Sequence, residues 1–304
     1  MNPETVKRVG PPIEVASPTR EPARFGLVTS AANVVPDPEL RFELGVYWEP
    51  IDCSPAGSIS GDCFDQAAID AGEGEGEGEG EGGTAGMPPV AEPGDGVGPL
   101  ASGDPFAVYG RYNCSAFSRP LDQAEARARQ HLAAWEEIEV ERVIATGDRH
   151  NRTSFQGATV LGTGLTIPEG VARLEGHLGT NYGALGVIHV PRSVGALGYA
   201  QRAWGRHGSR LETELGNYVA AGAGYDLASV GPDGTPTPEG TAWLYATALP
   251  VVRRSNVFVT PDIEFRPQVT NNDVIVFAWR VYVVAWECVA AAVLVDTETT
   301  AGEA

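Results

Sequence analysis

The sequence predicts an α+β fold, and three observations carry that prediction. One long amphipathic helical pattern runs from Asp122 to Gly147, short Val- and aromatic-rich runs bounded by Gly and Pro recur through the chain, and two aromatic-rich segments bracket a Gly/Glu repeat. Through the middle of the chain short helices and strands alternate, an α/β-like compact module with one prominent loop.

Residues 1 to about 38 hold Pro11, Pro12, Pro18, Pro22, Pro36 and Pro38 with little hydrophobic periodicity. They read as an extended arm that needs a surface to lie on. Two segments rich in Val, Phe, Tyr or Trp follow, Arg41 to Cys53 and Pro105 to Phe117, and they read as partner strands of a projecting hairpin. Between them, Glu73, Glu75, Glu77, Glu79 and Glu81 alternate with glycine, a solvated spacer at the tip. An isolated two-stranded hairpin is at best marginally stable in water, so a neighbouring subunit is expected to cover its side chains. Arg41, Tyr47, Trp48, Tyr109, Arg111 and Tyr112 are the candidate subunit-interface residues.

In the helix, Asp122 can cap with Glu125 three residues on, and Ala124, Ala128, Leu132, Trp135 and Ile138 form the packing face. At 1.5 Å per residue its roughly 23 residues span about 35 Å, the length of a strut. A second helix opens at Ile167-Pro168-Glu169, with Pro in the first turn, and runs to about Gly179. Gly186 to Val190 reads as a buried strand and Pro191 to Trp204 as a helix. Strands follow at Tyr218–Gly222 and Ala242–Ala246, on either side of the turn-rich loop from Gly231 to Glu239. Val251 to Val259, Asp273 to Val284 and Val289 to Val295 complete the strands before an acidic tail.

With 304 residues, 42% of them hydrophobic, the chain can bury one large core or two ordinary ones. A formal net charge of −19 argues against wrapping nucleic acid by neutralising phosphates, which needs clustered Lys and Arg in excess. Lys7 is the single lysine, so Arg supplies the fixed positive charge. Cys53, Cys63, Cys114 and Cys288 show no metal-ligand spacing and are expected as free thiols, although Cys53 and Cys114 lie near corresponding ends of the two arm segments. The Pro-rich N-terminus lacks the apolar stretch of a signal peptide, and Arg280 and Glu287 interrupt the one long apolar run.

No catalytic, cofactor-binding or metal-ligating constellation emerges. Gly222-Ala-Gly224 is similar to the start of a dinucleotide-binding loop, but Leu227 stands where the third glycine belongs and no helix signal follows. The five histidines are scattered singly. His189, in an apolar strand, is the candidate for a special role, against the plainer reading of a buried histidine with satisfied hydrogen bonds. Asp148, His150 and Ser154 are close in sequence, which by itself places no base against a nucleophile.

Taken in order, the arm, hairpin, long helix, compact central module and terminal strands resemble the major capsid protein of tailed bacteriophages, with its Hong Kong 97 type fold. The stretches that carry the resemblance are Gly186–Val194, Leu215–Gly222, Thr241–Thr247 and Val274–Val295. The resemblance implies an N-terminal arm over 1–39, an extended hairpin loop over 40–117, a spine helix and start of a peripheral domain over 118–160, an axial domain over 161–262, and C-terminal peripheral strands with an acidic tail over 263–304. It further implies a homo-oligomer of hexamers and pentamers. Such a shell encloses double-stranded DNA without sequence-specific binding, has no cofactor and no membrane, and is assembled in the host cytoplasm. Separate scaffolding and portal proteins, and a decoration protein, are the implied partners. Some members crosslink subunits through a Lys–Asn isopeptide bond, which this hairpin cannot form because it holds no lysine. Other readings stay open: an encapsulin-like compartment, a tail or receptor-binding structural protein, and an enzyme using His189.

Overall fold

The computed structural model describes residues 21, 23–39, 41–50, 101–115, 120–148, 153–260 and 273–298. The Gly/Glu repeat and the first twenty residues lie outside them.

Two sheets pack around one long helix, α1 (Leu121–Thr146). Its buried row is Ala124, Ala128, Leu132, Val140 and Ile144, a strict four-residue spacing with Glu136 in the middle. The expected face drifted to a three-residue step at Trp135 and Ile138. In the structure Trp135 is 47% exposed, because Glu136 takes the inward position and meets the half-buried Arg280. The helix starts after Pro120, whose φ of −59° already suits a helix, so Asp122 sits in the first turn instead of capping. Gly147 ends it at φ +69°, the left-handed conformation that suits a residue without a side chain.

The five-stranded sheet is built on β13 (Asp273–Ala285). Along one edge it pairs antiparallel with β4 (Pro105–Ser115); along the other it pairs with β12 (Phe258–Thr260) and β11 (Val251–Arg254). β1 (Asn33–Pro36) adds in parallel to β11. This corrects two expectations. Pro105–Ser115 is not the partner of the 41–53 segment: β2 (Val46–Trp48) pairs instead with the short β3 (Ala101–Gly103). Eleven aligned positions on β13, with Phe106 opposite Tyr282 and Tyr109 diagonal to Phe277, give β4 more cross-strand packing than a three-residue ribbon can offer. The expected Val251–Val259 strand is broken at Ser255, whose N–H donates to Val281 O and whose hydroxyl accepts from Val281 N.

The seven-stranded sheet runs in the order β5 (Thr159–Leu165), β14 (Ala290–Asp296), β10 (Thr241–Thr247), β6 (Val187–Pro191), β9 (Tyr218–Gly222), β8 (Arg210–Glu212) and β7 (Gly205–His207). The alternation of its strands sorts two cores. Ile188, Val190, Leu244 and Val293 face α2 (Ile167–Asn181) and α3 (Arg192–Ala200). Val187, Ala220, Tyr245 and Ala292 join Phe155 and α1 in the other core. α2 carries a full capping box: Thr166 Oγ1 accepts from Glu169 N, and Glu169 Oε2 accepts from Thr166 N. A short helix, α4 (Ala223–Ala228), does follow Gly222, against the sequence expectation; six residues are too few to show a helical period.

The arm also differs from expectation where it is described. Leu27–Ala31 forms a π-turn, capped by Gly26, with Leu27 and Ala31 buried, and β1 is hydrogen-bonded in a sheet. Cys288, expected as a free thiol, is disulfide-bonded, a pairing invisible to local spacing because every other cysteine precedes it by well over a hundred residues.

Candidate assembly surface

The five-stranded sheet has two unlike faces. Val276, Ala278, Arg280 and Tyr282 stand opposite Tyr112, Gly110, Val108 and Phe106, and this side packs on α1. At Gly110 the helix backbone comes so close that an added Cβ would meet Ala128 O and Leu132 Cα at 2.8 Å. Arg280 Nη1 donates to Glu136 Oε2 at 3.2 Å, and Tyr282 Oη donates to the same oxygen at 2.9 Å. Burial, with the nearby Glu136 charge, holds the Tyr282 phenol well above its ordinary range.

The opposite face presents Tyr109 and Arg111 from β4, Ile275, Phe277 and Trp279 from β13, and Phe258 from β12. Tyr109 is 57% exposed and Ile275 47%; Phe277 and Trp279 are half-buried. Tyr109 and Phe277 meet edge-on at 5.7 Å, and Phe258 lies 4.7 Å from Trp279. A contiguous aromatic strip therefore faces away from the helix. At one end of it β3 seals the sheet, where a Cβ on Gly103 would strike Val283 and Ala285. The hairpin base rises from that end, with Leu44 99% and Tyr47 77% exposed.

The six residues singled out from sequence separate into three groups. Tyr47, Tyr109 and Arg111 are exposed. Trp48 is half-buried, its indole N–H donating to Glu287 Oε2 at 3.1 Å, and Tyr112 packs against the chain's own core. Arg41 stands beside Asp37 and Glu39 at 3.6 and 3.5 Å. Phe277, Trp279, Phe258 and Leu44 were missed. The long apolar run of 274–295, interrupted by Arg280 and Glu287, shows no strand alternation, and only its pairing with β4 shows which alternate residues face outward.

His189 is fully enclosed. Nδ1 lies 2.9 Å from the Tyr225 hydroxyl, Nε2 lies 2.8 Å from Thr247 Oγ1, and the ring sits 4.8 Å from that of Phe155. Burial lowers its pKa to about 3, so the imidazole is neutral and both nitrogens are occupied by hydroxyls. Ser154 Oγ accepts from Gln156 N, and Asp148 pairs with Arg142; His150 lies outside the described residues. Among the described residues no three His, Cys, Asp or Glu side chains gather as a metal site, and no helix is long and apolar enough to cross a membrane.

No protein-family model matches the chain, and no curated protein matches it in sequence. Solved structures do. The capsid of the native GTA particle aligns at a TM-score of 0.50 with 13% identity over 95% of each chain. The capsid of the empty GTA particle aligns at 0.47 with 14% identity over 95% of each chain, and that of Gordonia phage Cozz at 0.48 with 12% identity over 94% of this chain and 90% of the other. At such low identity the likeness speaks for architecture alone, and that architecture, a long helix flanked by two sheets, is the Hong Kong 97 type capsid fold.

Proposed function

We propose that this chain is the major capsid protein of a tailed bacteriophage, assembling as hexamers and pentamers into an icosahedral head that encloses double-stranded DNA. The observation that carries the reading is the apolar strip of Tyr109, Phe277, Trp279 and Phe258 with Ile275, which sits on a sheet of capsid-type fold and faces outward from the chain's own core. Contiguous exposed apolar surface of this kind marks an interaction site, and a shell subunit has copies of itself on every side. The proposed division keeps a spine helix in α1 and an axial domain on the seven-stranded sheet. β11 and β12, expected within 161–262, and β4, expected within the 40–117 loop, hydrogen-bond to β13 and are counted with the peripheral sheet. The hairpin loop proposed to lie on a neighbour is the one based on β2 and β3. β14 is counted with the axial sheet, into which it hydrogen-bonds.

A net charge of −19 suits a container better than a DNA-wrapping protein, because the enclosed phosphates are not neutralised by the wall. Scaffolding and portal proteins are the proposed partners during assembly. Electron microscopy of the purified full-length chain tests the reading. Closed shells are expected when it is expressed with its scaffold, carrying DNA in the infected cell. Shells filled with a protein cargo would favour a compartment of the encapsulin kind, and monomers under every assembly condition would overturn the shell.

A further inference from the structure

The Gly26–Ala31 turn is held to the spine helix by two carboxylates. Leu27 N donates to Glu141 Oε1 at 3.0 Å, and Thr29 N donates to Glu137 Oε1 at 2.8 Å. The second oxygen of Glu141 accepts from Gly224 N at 3.0 Å, at the first turn of α4. The fit leaves no room for side chains. A Cβ at Gly26 would strike an oxygen of each glutamate, and one at Gly222 or Gly224 would strike Glu141. Because both oxygens crowd one point, the two carboxylates lie within about 5 Å of each other, close enough for like charges to oppose double ionisation.

Glu137 and Glu141 are one helical turn apart on α1, and Glu141 is 1% exposed. The turn itself supplies only Gly, Leu, Val, Thr, Ser and Ala. On the α3 side stands Arg192, whose Nη1 donates to Arg24 O at 2.9 Å and Ala221 O at 3.3 Å. α4 contributes Tyr225 and Asp226, the latter accepting from Ser193. On α1, Glu136 is bound by Arg280 and Tyr282. Burial first, then the Glu137 charge, push the Glu141 carboxyl up to about 8, against the two backbone donors and Arg192. Burial raises Glu137 as well, with Glu136 adding to it.

We propose that this turn is a proton-operated latch: it stays on the spine helix while the Glu137–Glu141 pair carries at most one negative charge, and it lets go when both carboxylates ionise. Released, the turn frees Gly26 to Ala31, between the Ala221 N–Phe25 O hydrogen bond and the anchor at β1. The direction follows from the raised carboxyl. The latched state binds a proton that the open state gives up, so latching is strongest below the ordinary carboxylate range and weakens as pH rises from there to about 8. The device works within one chain and does not rest on the shell reading.

Hydrogen exchange read by mass spectrometry on the full-length protein tests it, with rates divided by the intrinsic rate at each pH. A peptide spanning 24–32 is expected to lose about tenfold or more of its protection between pH 5 and pH 9, while a β14 peptide keeps its own. Glu141→Gln should flatten that pH response. Glu137→Gln, which keeps Glu141 but removes the opposing charge, should shrink it, and serves if the first variant does not fold. Equal protection of the 24–32 peptide at both pH values in the unmodified chain overturns the latch, as does an undiminished loss in both variants or a loss shared with β14.

Discussion

Tyr282 and Arg280, on the same side of β13, converge on a single oxygen of Glu136 in the middle of the spine helix. The carboxylate interrupts an otherwise apolar row, so helix and sheet can dock in one register only: sliding by a turn would set Glu136 against Ala278 or Val284. Replacing Glu136 with Ala should cost about 2–3 kcal/mol, since it strands a mostly buried guanidinium whose Nε already lacks a partner. Urea unfolding of Glu136→Ala against the unmodified chain measures it. A double variant, Glu136→Leu with Arg280→Met, should recover most of the loss.

The close approach at Gly110 sets a second expectation. Gly110→Ala places a methyl group against the backbone of α1, where no side-chain rotation can relieve it, and should cost about 2 kcal/mol or more. Thermal unfolding followed by circular dichroism reads the loss. A wild-type transition in this variant would mean that β4 and the helix are farther apart than described.

His189 and Glu141 give stability opposite pH slopes. The imidazole is held neutral down to about 3, below the ordinary value of 6.5, so the unfolded chain binds the extra proton between those values. Its contribution is present above 6.5 and drains away as pH falls toward 3. His189→Gln should therefore be less stable than the unmodified protein near neutrality. The difference should narrow by about 1.4 kcal/mol per pH unit on the acid side. Chemical unfolding of both proteins at pH 4, 5, 6 and 7 checks the convergence.

For the outward face, Tyr109→Glu combined with Phe277→Ser should leave the subunit folded, with stability changed by about 1 kcal/mol. The same pair should cut the yield of closed shells several-fold, because it puts charge where an apolar contact is expected. Counting shells by electron microscopy beside the circular dichroism of the subunit separates assembly from folding. Trp48→Ala differs in kind, since it also removes the hydrogen bond to Glu287 and unties the hairpin base from its own body.

What the sequence revealed, and what it hid, divides by the range of the forces involved. α1, α2, β6, β9, β10, β13 and β14 all announce themselves through local period, a capping box or Gly and Pro punctuation. The pairing of β4 with β13 joins residues more than 150 positions apart, and composition made the nearer aromatic segment look like the partner. Outward-facing Phe277 and Trp279 are masked by a long apolar run that shows no alternation between its two faces. Glu141 was passed over because a glutamate on a long helix normally faces water; its signal lay in the glycines at 26, 222 and 224, which make sense only once the chain is folded.

The placement of the last two strands has a temporal consequence. β13 lies at the centre of one sheet and β14 between β5 and β10 in the other, so the first cannot close before residue 285 has left the ribosome, nor the second before residue 296. At about 5–20 residues per second, the nascent polypeptide holds its helices and unmated edges open for many seconds, the interval in which chaperones act. Translation thereby sets a clock: no half-made chain presents the outward face that the finished five-stranded sheet builds from β4, β12 and β13.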